Sequence, residues 1–122
     1  MQIESLDMPV FNNDQDTTRA AENMALSGAS AIVALGGDGT SRAASKKIGP
    51  VPLMPVSTGT NNVFPYLIEG TLAGLATGYV VTGTSNPEIC APQHKSMNIL
   101  IDSGRSDVAP VSYTHLTLPT KA

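Results

Sequence analysis

The chain has 122 residues, a hydrophobic share of 41% and a formal net charge of −3, which bounds it to one modest domain or part of a larger one. That charge, with Lys46-Lys47 as the one basic pair, excludes a broad nucleic-acid surface. A single cysteine, Cys90, excludes an internal disulfide and fits a cytoplasmic setting. Tryptophan is absent and aromatic residues make up only 4%, so Ala, Val, Leu, Ile and Met must fill the core.

The first residues, Met1-Gln2-Ile3-Glu4-Ser5, lack the basic and apolar regions of a secretory signal. Gln2 to Met8 alternates as a strand does, with Ile3, Leu6 and Met8 at apolar positions. A loop over 9–16 follows, and Asp14, Asp16, Thr17 or Thr18 can cap a helix that runs to about Ser27. Ala20, Ala21 and Met24 fall on its buried face, and Gly28 suits the left-handed residue that ends it.

Ala31-Ile32-Val33-Ala34-Leu35 reads as a strand leading into Gly36-Gly37-Asp38-Gly39-Thr40. Thr40 or Ser41 then caps a short helix ending near Ile48, where Gly49-Pro50 stops it. Val51-Pro52-Leu53-Met54-Pro55-Val56 is a second strand, followed by Ser57-Thr58-Gly59-Thr60-Asn61-Asn62. The span between the strands has room for the crossover that a parallel pair requires, whether the two are neighbours or admit one strand between them. Both loops then leave from the carboxyl edge of one sheet, where α/β proteins bind nucleotides.

Phe64, Leu67, Ile68, Leu72, Leu75, Ala76 and Tyr79 follow helical spacing, in one helix or in two broken near Gly70-Thr71. Gly70, Gly74 and Gly78 form a stripe of small residues whose cost in helix propensity calls for close packing. The stretch from Phe64 to Gly83 is the most apolar of the chain, but Pro65, Glu69 and its glycines argue against a membrane span. Residues 84–93 read as a polar linker. Met97 to Ile101 is a strand, Asp102-Ser103-Gly104 a hairpin turn and Asp107 to Val111 the return strand. The fold class is therefore α/β: a partial nucleotide-binding domain with a parallel sheet over 1–93, then the start of a β-rich domain over 94–110. Residues 111–122, with His115, resemble adaptor sequence read as protein, and the expectation is a non-native tail.

Glycine lets backbone N–H groups approach a phosphate closely, and a helix N-terminus adds about half a positive charge. A hairpin turn across Asp38-Gly39 is the competing reading, but residues 41–47 lack the alternation of a return strand. Asp38 is out of place beside a phosphate unless it has a task, such as accepting a hydroxyl proton or binding Mg²⁺. Neither loop carries the Walker or the dinucleotide glycine pattern. Cys90 and His94 are spaced like half a zinc site without a second pair, and read as structural or surface residues.

Gly36-Gly37-Asp38-Gly39-Thr40 resembles the signature of the superfamily of NAD kinases, diacylglycerol kinases and sphingosine kinases. The segment from Pro55 to Pro65 is similar to the Pro-x-Gly-Thr-x-Asn-Asp-Phe stretch of its lipid-kinase branch. Residues 6–11, 16–21, 57–65 and 73–78 look most like the ATP-NAD kinase-like proteins of acetoin catabolism. The resemblance spans about residues 2–109 and implies an α/β nucleotide domain followed by a β-rich one, with the active site between them. Carried over, Gly36, Gly37 and Gly39 cradle the phosphates of ATP, Asp38 is the acid/base, and Thr40 starts the helix. Thr58, Gly59, Thr60, Asn61 and Asn62 contact nucleotide or acceptor.

ATP and Mg²⁺ are the cofactors so implied, with NAD as acceptor and no metal ligands assigned. The expected partners are small molecules, with no nucleic acid, no membrane and homo-oligomer formation left open. The opening strand and Asn-Pro-x-Ser-Gly-type loop of that superfamily have no counterpart, and the expectation is an internal fragment that is inactive alone. Two other readings stay open: a nucleotide sensor without turnover, and a lipid or sphingoid kinase.

Overall fold

A computed structural model describes residues 2–59 and 61–110 of the chain. The elements follow in the order α1 (Asp14–Leu26), β1 (Ile32–Leu35), α2 (Asp38–Ser45), β2 (Leu53–Val56), α3 (Gly70–Val81), α4 (Pro87–Cys90), β3 (Ser96–Leu100) and β4 (Ser106–Pro110). β1 and β2 are direct neighbours in a parallel pair, with Ile32 opposite Leu53 and Leu35 opposite Val56. β3 and β4 form a separate antiparallel hairpin. The α/β reading of the sequence is the architecture found. The proposed tail, with His115, lies outside the described residues.

α1 is capped by Asn13, one residue before the candidates that composition suggests. The Asn13 side chain accepts from Gln15 N–H at 3.0 Å, and Asp16 returns the favour by accepting from Asn13 N–H at 3.3 Å. This reciprocal arrangement satisfies two N–H groups that a helix start otherwise leaves open. Asp14 and Asp16 sit in the first turn, where negative charge suits the helix dipole. At the other end Gly28 adopts φ +87°, the left-handed conformation expected of it.

One layer of helix covers one face of the parallel pair. Ala21 of α1, Ile32 and Ala34 of β1, Ala44 of α2 and Ile48 form the core, with Leu53 and Val51 packed against it. Small residues let the helices come close: the Thr18 hydroxyl donates to the Ala43 carbonyl at 2.9 Å across the α1–α2 contact. Of the α1 face expected to be buried, only Ala21 is; Ala20 is half-buried and Met24 exposed. The opposite face of β1 presents Val33 and Leu35 to the surface.

Three expectations are corrected. Residues 2–8 form no strand, because nothing pairs with their backbone among the described residues and a ladder needs a partner. Residues 64–69 are not helical: Pro65 disfavours the helical conformation at Phe64, and Tyr66 instead bridges Val56 in parallel, its carbonyl accepting from Ser57 N–H at 2.8 Å. The helix starts only at Gly70, with Glu69 accepting from Leu72 N–H at 3.2 Å as its cap. Among the described residues nothing packs closely on the glycine stripe either. A Cβ on Gly70, Gly74 or Gly78 would meet nothing within 4 Å, and Ala73 is the buried residue of α3. The linker also holds the short α4. Among the described residues no helix is long and apolar enough to cross a membrane.

The hairpin docks on α2 through one carboxylate. Asp107 meets Arg42 at 2.6 Å and Lys46 at 2.9 Å, and accepts from its neighbour Val108 N–H at 2.8 Å. The Lys46 ammonium, then the Val108 N–H, and with less weight the Arg42 charge pull its carboxyl from the ordinary 3.8 down to about 2. A depressed carboxyl contributes stability above its unfolded pKa and loses it as pH falls through the folded value. The docking should therefore be insensitive to pH above about 4 and loosen between about 4 and 2. An NMR titration of the Asp107 side-chain carbon should show that low midpoint, and Lys46→Ala should move it upwards towards the ordinary range.

Candidate nucleotide-binding edge

Because β1 and β2 run parallel, the loops at their carboxyl ends emerge side by side. Gly36 continues β1, and its N–H donates to the Val56 carbonyl at 3.0 Å, so the two strand ends are tied where the loops begin. The chain then turns directly into α2, with Gly37 as cap and Asp38 as first helical residue. Thr40 is therefore third in the helix and not its start. No hairpin crosses Asp38-Gly39. The second loop differs: no helix follows it directly, and it runs through the 64–69 segment before α3.

Asp38 and Asn62 clasp the two loops together. Asn62 Oδ1 accepts from Asp38 N–H at 3.2 Å, which supplies the helix cap that Gly37 has no side chain to provide. In return, Asp38 Oδ1 accepts from Phe64 N–H at 2.8 Å and from Val63 N–H at 3.1 Å, and Oδ2 accepts from Val63 N–H at 3.0 Å. Each residue thus satisfies backbone groups of the other's loop. The carboxylate that looked out of place in an anion-binding loop is held by N–H donors. Oδ1 carries more of this load than Oδ2.

The glycines of the first loop are needed for different reasons. A Cβ on Gly36 would overlap the Thr40 side chain, coming within 2.6 Å of its Cβ. Thr40 is β-branched and sits on a helix, so it cannot easily give way. A Cβ on Gly37 would lie 2.8 Å from Asn62 Oδ1. Gly37 is extended, at φ −97° and ψ −166°, so no left-handed backbone requires it. Gly39 is exposed and has open space where a Cβ would be. Among the described residues no side chain accepts from Gly39 or Thr40 N–H, two of the first-turn donors that a helix cannot satisfy internally. Such donors at an open helix start suit phosphate oxygens.

In the second loop Thr58, Gly59 and Asn61 are exposed beside this opening, and Asn61 takes the left-handed conformation at φ 63°. Asn62 is half-buried and its amide is occupied at both ends, with Nδ2 donating to Ser57 Oγ at 2.7 Å. Thr60 lies outside the described residues. Ser57, buried at 5% exposure, is the residue whose importance the sequence does not signal. A serine at a strand end looks the same whether it faces solvent or a neighbouring loop. The His94 ring packs edge-on against Phe64 at 5.3 Å, and Cys90 is exposed. Among the described residues no three His, Cys, Asp or Glu side chains converge as a metal site would require.

The family described as the ATP-NAD kinase N-terminal domain matches residues 3–80, a span that contains both loops. Acetoin catabolism protein X of Cupriavidus necator is 45% identical over 113 residues, covering 89% of this chain and 32% of that protein. The chain thus spans about a third of the length of this curated relative. No solved structure matches the chain significantly.

The two kinds of glycine should separate on substitution. Gly36→Ala forces the Thr40 side chain to move and should destabilise the fold by about 1–3 kcal/mol, as overpacking does. Gly39→Ala, opening on free space in a helix, should leave stability equal or slightly higher. Thermal denaturation of both variants checks the contrast.

Proposed function

The chain belongs to the ATP-NAD kinase family, and on that premise we propose that the whole protein transfers the γ-phosphoryl group of ATP to a hydroxyl, the ribose 2′-OH of NAD. The observation that carries this reading is the pair of loops clasped at one edge of a parallel sheet, beside an α2 N-terminus whose Gly39 and Thr40 N–H groups are open. These donors, with the close approach allowed at Gly37 and Gly39, would hold phosphate oxygens. Exposed Thr58 and Asn61, with Gly59 and Thr60, would meet the rest of the nucleotide or the acceptor. Gly36 and Asn62 would act by shaping the site, through the Thr40 contact and the cap on Asp38.

In the transfer, the acceptor oxygen attacks the γ-phosphorus, the bond to the bridging oxygen breaks, and ADP leaves. The acceptor's proton passes to Asp38, for which Oδ2 is the less occupied oxygen. Magnesium, when bound with ATP, neutralises phosphate charge. The free Cys90 thiol suits a reducing cytoplasm. The name of the Cupriavidus relative suggests acetoin catabolism as the metabolic setting.

A second reading is favoured by one observation. Because Val63 and Phe64 N–H groups already occupy the Asp38 carboxylate, its role at this edge can be purely architectural, as in a nucleotide sensor. ADP release by the full-length protein, measured with NAD, with a sphingoid base and with neither, separates the readings. With NAD, Asp38→Asn should lower kcat by about 10²–10⁴-fold, the usual scale for a lost general base, while MgATP still binds. Binding of MgATP without turnover on any acceptor would establish the sensor. Activity with NAD that survives Asp38→Asn would remove the acid/base role, and activity with the sphingoid base alone would replace NAD as acceptor.

A further inference from the structure

We infer that Ser57 is a positioning residue: together with the Asp38 N–H it fixes which way the Asn62 amide faces and, through that amide, holds the two loops in register. Ser57 directly follows β2, is buried at 5% exposure, and is fixed by its own N–H donating to the Tyr66 carbonyl at 2.8 Å. Its hydroxyl lies 2.8 Å from the Gly59 carbonyl, and a carbonyl can only accept. The single hydroxyl proton is therefore directed at Gly59. Towards Asn62 the Ser57 oxygen can then only accept, so the amide must present Nδ2 to it, at 2.7 Å. That leaves Oδ1 facing Asp38 N–H at 3.2 Å.

The chain of donors runs one way: Asp38 N–H to Asn62, Asn62 to Ser57, Ser57 to the Gly59 carbonyl. Reversing the Asn62 amide would set two donors against each other at Asp38 and two acceptors against each other at Ser57. Without the serine oxygen only the Asp38 N–H, at 3.2 Å, prescribes the orientation, and the amide loses its second anchor. The cap on α2 then loosens, and with it the alignment of the Asp38 carboxylate with Val63 and Phe64. Ser57 touches no phosphate in this account. It acts through Asn62, and its effect on nucleotide binding rests on the reading that this edge holds the phosphates of ATP.

Hydrogen exchange followed by NMR and calorimetry with MgATP, both on the full-length chain, test this. In Ser57→Ala the amides of Asp38, Val63 and Phe64 should exchange about tenfold faster, the scale of one lost hydrogen bond, while those of α1 hold their rates. Affinity for MgATP should fall by a similar factor. Ser57→Thr, which keeps the hydroxyl, should retain both properties. If the alanine variant does not fold, Ser57→Cys keeps the volume with much weaker hydrogen bonds and should show the same local acceleration. Unchanged exchange at Asp38 in a folded variant would overturn the assignment, as would acceleration spread equally through α1. Wild-type protein that fails to bind MgATP would sink the nucleotide reading instead, and the exchange rates would still decide the role of Ser57.

Discussion

The reciprocal bond between Asp38 and Asn62 is the constraint on which the candidate site depends. The start of α2 has a glycine cap without a side chain, and the second loop has backbone N–H groups without a strand to pair with. Each is a local deficit, and each is met by the other element's side chain. Two loops that are separately ordinary become one hydrogen-bonded edge. A charged acceptor binds N–H groups more strongly than a neutral one, so Asp38 is the stronger half of the clasp.

The alanine-rich core serves this arrangement. Ala21, Ala34 and Ala44 bring α1 and α2 close to the sheet, and the Thr18–Ala43 bond locks the helices against each other. α2 then has work at both ends. Its first residue joins the second loop, and Arg42 and Lys46, one and two turns further on, hold the hairpin through Asp107. Loop geometry and hairpin position therefore share one short helix. A shift of α2 along its axis would be felt at both.

The glycine pattern has a packing basis that the sequence does not reveal. Gly36 and Gly37 are crowded by Thr40 and Asn62, and neither has a left-handed backbone. Only Gly39 opens outward. Close packing inside the protein thus accounts for two of the three glycines, and the open helix start is concentrated at Gly39 and Thr40. In α3 a Cβ on any of the three evenly spaced glycines would meet nothing within 4 Å, and the described residues offer no packing reason for them.

Short-range chemistry was legible in the residues themselves. Apolar runs ending in glycine loops specified two strands and a parallel pair. Gly28 marked a helix end, Asp102-Ser103-Gly104 a hairpin turn, and the motif around Asp38 the kinase family. What could not be read was whatever depends on a partner far along the chain. Residues 2–8 alternate like a strand but find no backbone partner among the described residues, while residues 64–69 carry helical spacing but Tyr66 bridges Val56 instead. Asp38 and Asn62 stand 24 positions apart, and only the register that sets Leu35 against Val56 brings their loops within hydrogen-bonding reach. Periodicity and turn preference are properties of a few consecutive residues and survive without a fold. The direction of a buried amide, the occupancy of a carboxylate and the reason a glycine is small are settled only when the strands have paired.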